Sequence, residues 1–179
     1  MRNIKEIWAD EIVIATGSTP RKLKIHGGNK AIDALDYLSG ASVGNRVAVI
    51  GGGLTGCEIA YDLYLKGKTP IIIEAKDDLV KASGVCLANS SFLRDFFDYA
   101  KVPVYLQTTL KEIGKDNITI VGADEIPKTV KADSVILAIG YNSAPLSKPS
   151  RHVHIVGDAL RVGNLRTVIW RAWDVATKL

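Results

Sequence analysis

Short, unbroken apolar runs alternate along this chain with polar stretches that carry an apolar residue every third or fourth position, and the alternation predicts an α/β fold. Residues 12–15 read as a buried strand closed by Gly17, Ser18 and Pro20. A basic loop follows, then a short helix over 31–38 with Leu35 and Leu38 on one face and Gly40 as its stop. A turn-rich linker, 42–45, leads to the most regular part of the pattern. Residues 46–50 form a strand, 51–56 a glycine turn, 54–66 an amphipathic helix ended by Gly67, and 70–74 a second buried strand. That is a βαβ unit whose near-continuous apolar strands suit a parallel sheet covered on both faces, with a right-handed crossover.

Beyond a loop at 76–84, residues 85–100 predict a helix with Leu87, Phe92, Leu93 and Phe96 as its apolar side. A strand at 102–106 is followed by three short strands, 109–113, 118–121 and 129–131, that suggest a meander. Residues 134–139 are again a buried strand. A linker at 145–149, a strand at 152–156, a Gly157-Asp158 turn and a helix over 165–179 complete the chain. The expected architecture has two sheets. A Rossmann-like βαβ lobe with a parallel sheet and small β-meander spans 44–142, and a partial second lobe is drawn from 1–43 and 143–179.

The sharpest chemical signal is Gly51-Gly52-Gly53-Leu54-Thr55-Gly56, a GxGxxG with a strand before it and a helix opening from it. Gly51 allows the tight turn, Gly53 lets the backbone approach a pyrophosphate where a Cβ would collide, and Gly56 lets the helix pack on the strand. Free N–H groups of the first helical turn, Leu54 and Thr55 among them, and the helix dipole favour the phosphates. Glu74 ends the second strand eighteen residues beyond Gly56, close to the spacing of about 20 expected for the acid that accepts bonds from the adenosine ribose. Its charge opposes a 2′-phosphate, so NADH is expected in preference to NADPH, with Lys76 near enough to soften the preference. The bland alternative is a merely tight turn with a surface acid.

Three strand-turns flank this unit: Ala15-Thr16-Gly17, Ala138-Ile139-Gly140 and His154-Ile155-Val156-Gly157-Asp158. In that order around a full GxGxxG unit they resemble the pyridine nucleotide–disulfide oxidoreductase-like flavoproteins, in which an NAD-binding domain is inserted within an FAD-binding domain. The stretch from Val49 through Gly56 to Cys57 and Glu58, the Ile72-Ile73-Glu74 strand end and the Gly157-Asp158-Ala159 tail look like the C-terminal region of 2-enoate and 2,4-dienoyl-CoA reductases. The resemblance implies that Asp158 and Gly157 meet the flavin's ribityl and phosphate region, with residues 165–168 opening the helix toward its ring. It also implies that Ala15, Thr16 and Gly17 line the flavin side of the lobe junction, and that Ala138, Ile139 and Gly140 lie beside the nicotinamide nucleotide. Glu58 matches a position that reaches the nicotinamide amide in relatives; a solvated helix acid is the equal alternative.

The same resemblance implies hydride transfer from NADH to FAD and onward to a reductase domain such as an enoate reductase. The protein's part is positioning and electrostatics, and no residue reads as a general acid or base. The family's first GxGxxG, for FAD, has no counterpart in the nine residues before Asp10. Nor does the chain carry the family's reductase barrel with its FMN and iron–sulfur cysteines, so it reads as a piece of a longer protein, with FAD implied by the family alone. Apolar surface left by a missing βαβ unit is expected to favour a homodimer. The rival function is a non-catalytic NAD(H)-binding module or sensor without bound flavin; a purely structural interaction domain would bind no dinucleotide.

Composition narrows rather than redirects this picture. The 179 residues are 47% hydrophobic and 23% charged, as in globular proteins. The net charge of +4 comes from scattered basic residues without an aromatic-laced stripe, which argues against nucleic acid. Cys57 and Cys86 are too far apart for a CxxC or zinc spacing, so a reducing, cytoplasmic setting is expected, and Cys57 reads as a small buried apolar residue. His152 and His154 point the same way on a strand, but no acidic or cysteine partner is visible at ligand spacing. They and His26 are expected to be exposed or capping, with no metal site. No apolar run approaches the roughly 18 residues needed to span a bilayer.

Overall fold

The computed structural model describes residues 8–81, 84 and 86–179. They divide into two units, one built from the described residues up to Arg21 together with Tyr141–Leu179, the other continuous over Lys22–Gly140. The first unit opens with β1 (Ile12–Ile14) and β2 (Ser18–Pro20). The continuous unit runs β3 (Ile32–Asp33), α1 (Ala34–Leu38), β4 (Arg46–Ile50), α2 (Leu54–Leu65), β5 (Thr69–Ile73) and α3 (Leu87–Tyr99). It goes on through β6 (Val104–Tyr105), β7 (Thr109–Ile113), β8 (Asn117–Val121), β9 (Pro127–Lys131) and β10 (Ser134–Leu137). The chain returns to the first unit with β11 (Tyr141–Ser143), β12 (Val153–Ile155), a single-turn α4 (Gly157–Leu160) and α5 (Leu165–Ala176).

In the continuous unit five parallel strands lie in the order β3-β10-β4-β5-β6. Side chains alternate across a strand, so the apolar runs feed two cores at once. Val47, Val49, Ile72 and Ile136 pack with Cys57, Ile59, Ala60 and Leu63 of α2 and Leu93 and Phe97 of α3. Ala48, Ile50, Ile71, Ile73, Val135 and Leu137 pack instead with Leu110, Ile113, Ile118 and Ile120 of the antiparallel sheet β7-β8-β9. Helices thus cover one face and the meander covers the other. Each fully buried aliphatic side chain contributes roughly 1.5–3 kcal/mol of transfer free energy.

Helix boundaries follow from capping. Asp33 accepts a bond from Asp36 N at 2.9 Å and opens α1. α2 ends in a left-handed Gly67 (φ 71°), with Gly67 N donating to Tyr64 O and Lys68 N to Leu63 O, a Schellman pair that satisfies the last carbonyls. In the first unit β1 pairs in parallel with β12, β2 pairs antiparallel with β11, and a capping box between Asn164 and Thr167 opens α5.

Several expectations are corrected. The boundary expected at 43/44 lies at 21/22, because β3 joins the five-stranded sheet beside β10 and Ala34 and Tyr37 enter its helical core. Among the described residues two sheets become four, since β7-β8-β9 separates from the parallel sheet and the β2–β11 ladder stands apart from β1–β12. On α1 the buried face is Ala34 and Tyr37, while Leu35 and Leu38 are exposed. On α3 Leu87 and Phe92 are exposed and the buried apolar residues are Leu93 and Phe97. The expected helix start at Val85 lies outside the described residues. Gly157 and Asp158 form the first turn of α4 rather than a free turn. No helix among the described residues is long and apolar enough to cross a membrane.

Candidate functional site

Three neighbouring strands of the parallel sheet end at one level. Ile50 of β4 lies opposite both Ile73 of β5 and Leu137 of β10, so Gly51, Glu74 and Ala138 leave the carboxyl ends of adjacent strands side by side. The chain moves from β4 outward to β5 on one side, and β10 arrives on the other. This reversal of strand order is where open α/β sheets hold ligands. Gly51 N donates to Ile73 O and Ala138 N to Ile50 O, both at 2.8 Å, which carries the sheet's hydrogen bonding into the loops.

The four glycines of the loop have different reasons to be there. Gly51 adopts φ 106°, and a Cβ on it would lie 2.5 Å from Ala138 O. A Cβ on Gly52 would lie 2.5 Å from Leu79 Cδ2, and one on Gly56 would overlap the Gly51 carbonyl oxygen. Gly53 alone has nothing within 4 Å of that position and an ordinary φ of −70°. A side chain at Gly53 would meet open space and not the protein. Gly53 is the N-cap of α2, no side chain caps it, and the first intrahelical bond is Cys57 N to Gly53 O. The N–H groups of Leu54, Thr55 and Gly56 precede that bond, which leaves donors and dipole available to an anion. An open cradle with uncapped donors fits a dinucleotide's pyrophosphate.

Glu74 is 8% exposed and its carboxylate is partly engaged. Oε2 accepts a very short bond from Gly52 N and Oε1 accepts from Lys76 N at 2.7 Å. About four acceptor sites exist on an ionised carboxylate, so one ties the glycine loop at Gly52, one holds the Lys76 amide, and about two remain. This loop-pinning role was not foreseen, and a lone Glu at a strand end carries no sign of it.

Glu58 sits exposed on α2, and Ala138 and Ile139 are half-buried below the loop with Gly140 exposed at φ 89°. Within the first unit, Thr16 and Gly17 leave the carboxyl end of β1, and Gly157 and Asp158 leave that of β12, where Ile14 lies opposite Ile155. Thr16 Oγ1 donates to Ala144 O at 2.7 Å, Gly17 and Gly157 are left-handed, and Asp158 Oδ1 accepts from Gly163 N at 3.0 Å.

Cys57 is fully buried, and burial, reinforced by the charge of Glu74, pushes its thiol up to about 12, so it is no nucleophile at neutral pH. His152 and His154 have an acidic partner after all. The β1–β12 pairing brings Glu11, whose Oε1 and Oε2 meet His152 Nδ1 at 2.9 Å and His154 Nε2 at 2.8 Å. The His152 and then the His154 hydrogen bond hold the Glu11 carboxyl below its usual range. No group of three or more His, Cys, Asp or Glu among the described residues could hold a metal ion.

A family model described as pyridine nucleotide-disulphide oxidoreductase matches residues 2–159. The cinnamate reductase of Clostridium sporogenes is 35% identical over 99% of this chain and 28% of its own length. The NADH oxidase of Thermoanaerobacter brockii is 28% identical over 98% of this chain and 29% of its own length. A solved 2-naphthoyl-CoA reductase in complex with 2-naphthoyl-CoA superposes with a TM-score of 0.82 and 25% identity, over 95% of this chain and 27% of that one. The chain thus spans less than a third of the length of these three relatives.

Proposed function

Because the chain belongs to the pyridine nucleotide-disulphide oxidoreductase family, whose members are FAD- and NAD(P)H-dependent oxidoreductases, we propose that its glycine loop holds NADH within a longer flavoprotein reductase. The observation that carries this reading is Gly53, the one loop glycine whose missing side chain leaves open space beside uncapped helix donors. FAD, when bound in the longer protein, would supply the chemistry that takes a hydride from NADH and passes electrons to a reductase domain such as an enoate reductase. The cinnamate reductase and 2-naphthoyl-CoA reductase likenesses support that class of acceptor.

The chain's own residues bind and orient. The N–H groups of Leu54, Thr55 and Gly56 hold the pyrophosphate, and Gly53 lets it approach. Glu74 offers its remaining lone pairs to the ribose and repels a 2′-phosphate, so NADH is preferred over NADPH. Ala138, Ile139 and Gly140 line the nicotinamide half, with Glu58 reaching the amide. In the first unit Thr16, Gly17, Gly157 and Asp158 hold FAD together with an N-terminal FAD-binding segment of the longer polypeptide, which also carries a reductase barrel. None of these residues needs to transfer a proton.

The test is a calorimetric titration with NADH and NADPH, preceded by a visible spectrum. Saturable NADH binding, tighter than NADPH, supports the loop and Glu74. A yellow protein that NADH bleaches supports electron transfer; a colourless one that still binds NADH reduces the function to a binding module. Binding of neither nucleotide sinks the proposal.

A further inference from the structure

Residues 75–81, between Glu74 and α3, hold the glycine loop by a device that no motif describes. Val80 is buried and lies at φ 51°, a left-handed conformation that a β-branched residue adopts only when its surroundings impose it. Its N–H donates to Gly52 O at 2.7 Å, while the Leu79 side chain fills the space over Gly52. The N–H of Gly52 is already bound by Glu74. Gly52 is therefore gripped at both its N–H and its carbonyl, one residue before the open cradle at Gly53.

The Leu79 carbonyl and the Val80 N–H belong to a single peptide group, and its other end is held by Arg94 of α3. Arg94 Nε and Nη2 donate to Leu79 O at 3.1 and 2.5 Å. The same two nitrogens meet Asp78 Oδ1 at 3.1 Å and Oδ2 at 3.0 Å, and Asp78 Oδ1 also accepts from Leu79 N at 2.7 Å. A cation on the carbonyl polarises the peptide and strengthens the bond that its N–H makes to Gly52. The planar guanidinium fork presents donors to the carbonyl and the carboxylate together.

We propose that Arg94 is a positioning residue for dinucleotide binding: through the Leu79–Val80 peptide it sets the orientation of Gly52 and so the aim of the N–H groups that follow it. The inference rests on the reading of the loop as an NADH site. The Arg94 side-chain bonds run to Asp78 and Leu79, so it acts on the loop through residues 75–81.

The test compares the full chain with its R94Q and R94K variants, titrated with NADH and with AMP, alongside amide exchange. R94Q is expected to weaken both ligands by the same factor, about tenfold, the contribution of one charge-assisted hydrogen bond. R94K, which keeps the charge but not the fork, falls between. Exchange at the Val80 and Gly52 amides accelerates in R94Q while the amides of β4 keep their protection, which a general loss of stability would not produce. R94K carries the same comparison if R94Q does not fold. Unchanged affinity in the variants, or exchange that rises equally in β4, overturns the role of Arg94 and leaves the nucleotide site standing. A wild-type chain that binds neither NADH nor AMP overturns both.

Discussion

Gly56 lies against Gly51 so closely that a Cβ on Gly56 would overlap the Gly51 carbonyl oxygen. The helix and the strand end of the βαβ unit are locked together at that point. A Cβ on Gly53, three residues earlier, would meet nothing within 4 Å. The two positions separate architecture from binding. G56A is expected to cost about 1–3 kcal/mol of stability through overpacking and to lose NADH binding with it. G53A should change stability by no more than about 1 kcal/mol, the scale of an N-cap change, yet abolish measurable NADH binding. Denaturant midpoints and calorimetry on both variants check the contrast, and G53A binding NADH normally would remove the cradle.

The Glu74 side chain ties the glycine loop through Gly52, and in the proposed function it also meets the ribose. E74Q replaces one acceptor oxygen by a donor and leaves either the Gly52 or the Lys76 amide unpaired. Stability should fall by about 1–3 kcal/mol, the cost of an unsatisfied buried donor, NADH binding should weaken with the loosened loop, and the margin over NADPH should narrow because the repelling charge is gone. Affinities of both nucleotides for E74Q check this. Unchanged selectivity would leave Glu74 a purely structural role.

The Cys57 thiol, raised to about 12 from an ordinary 9.0 by burial and then by the charge of Glu74, gives stability a definite pH slope. The folded chain keeps the proton where the unfolded chain has lost it. The contribution is therefore complete below pH 9.0 and declines as pH rises through that value toward 12. Urea midpoints should fall over that range in the wild type and less steeply in C57A. Iodoacetamide should modify exposed Cys86 in the native protein and reach Cys57 only after unfolding.

On α1, Tyr37 is 7% exposed and Leu38 64%. Tyr37 packs in the helical core, and its hydroxyl donates to Asp62 Oδ2 at 2.6 Å. Y37A is expected to cost about 3 kcal/mol or more, whereas L38A should stay within about 0.5 kcal/mol. Thermal or chemical unfolding of the two variants decides which face of the helix is the inner one.

The parts of this site that were legible in the sequence are those with a local physical signature. Gly51, Glu74 and Ala138 each follow a short apolar run, and parallel strands buried on both faces read as such runs. Their arrival at one level follows from the βαβ pattern. The inner face of α1 was misread because five residues do not establish a helical period. Residues 22–43 were given to the wrong unit because a two-residue strand such as β3 has no period at all. Glu11 met His152 and His154 through strands from opposite ends of the chain. The Arg94 clasp works through one backbone peptide, and no residue pattern announces a side chain that bonds a carbonyl.

The pairing of β1 with β12 has a consequence in time. Its two strands flank the whole continuous unit, so the ladder cannot form during synthesis until that unit has emerged. The continuous unit has all its sheet partners within itself and is free to fold first, as domains do during synthesis. Once it has folded, a flexible loop of more than a hundred residues becomes a short effective tether, and most of the entropy of closing it no longer opposes the terminal ladder. The glycine loop and residues 75–81 that hold it would be in place while the strands that frame residues 16–17 and 157–158 are still apart.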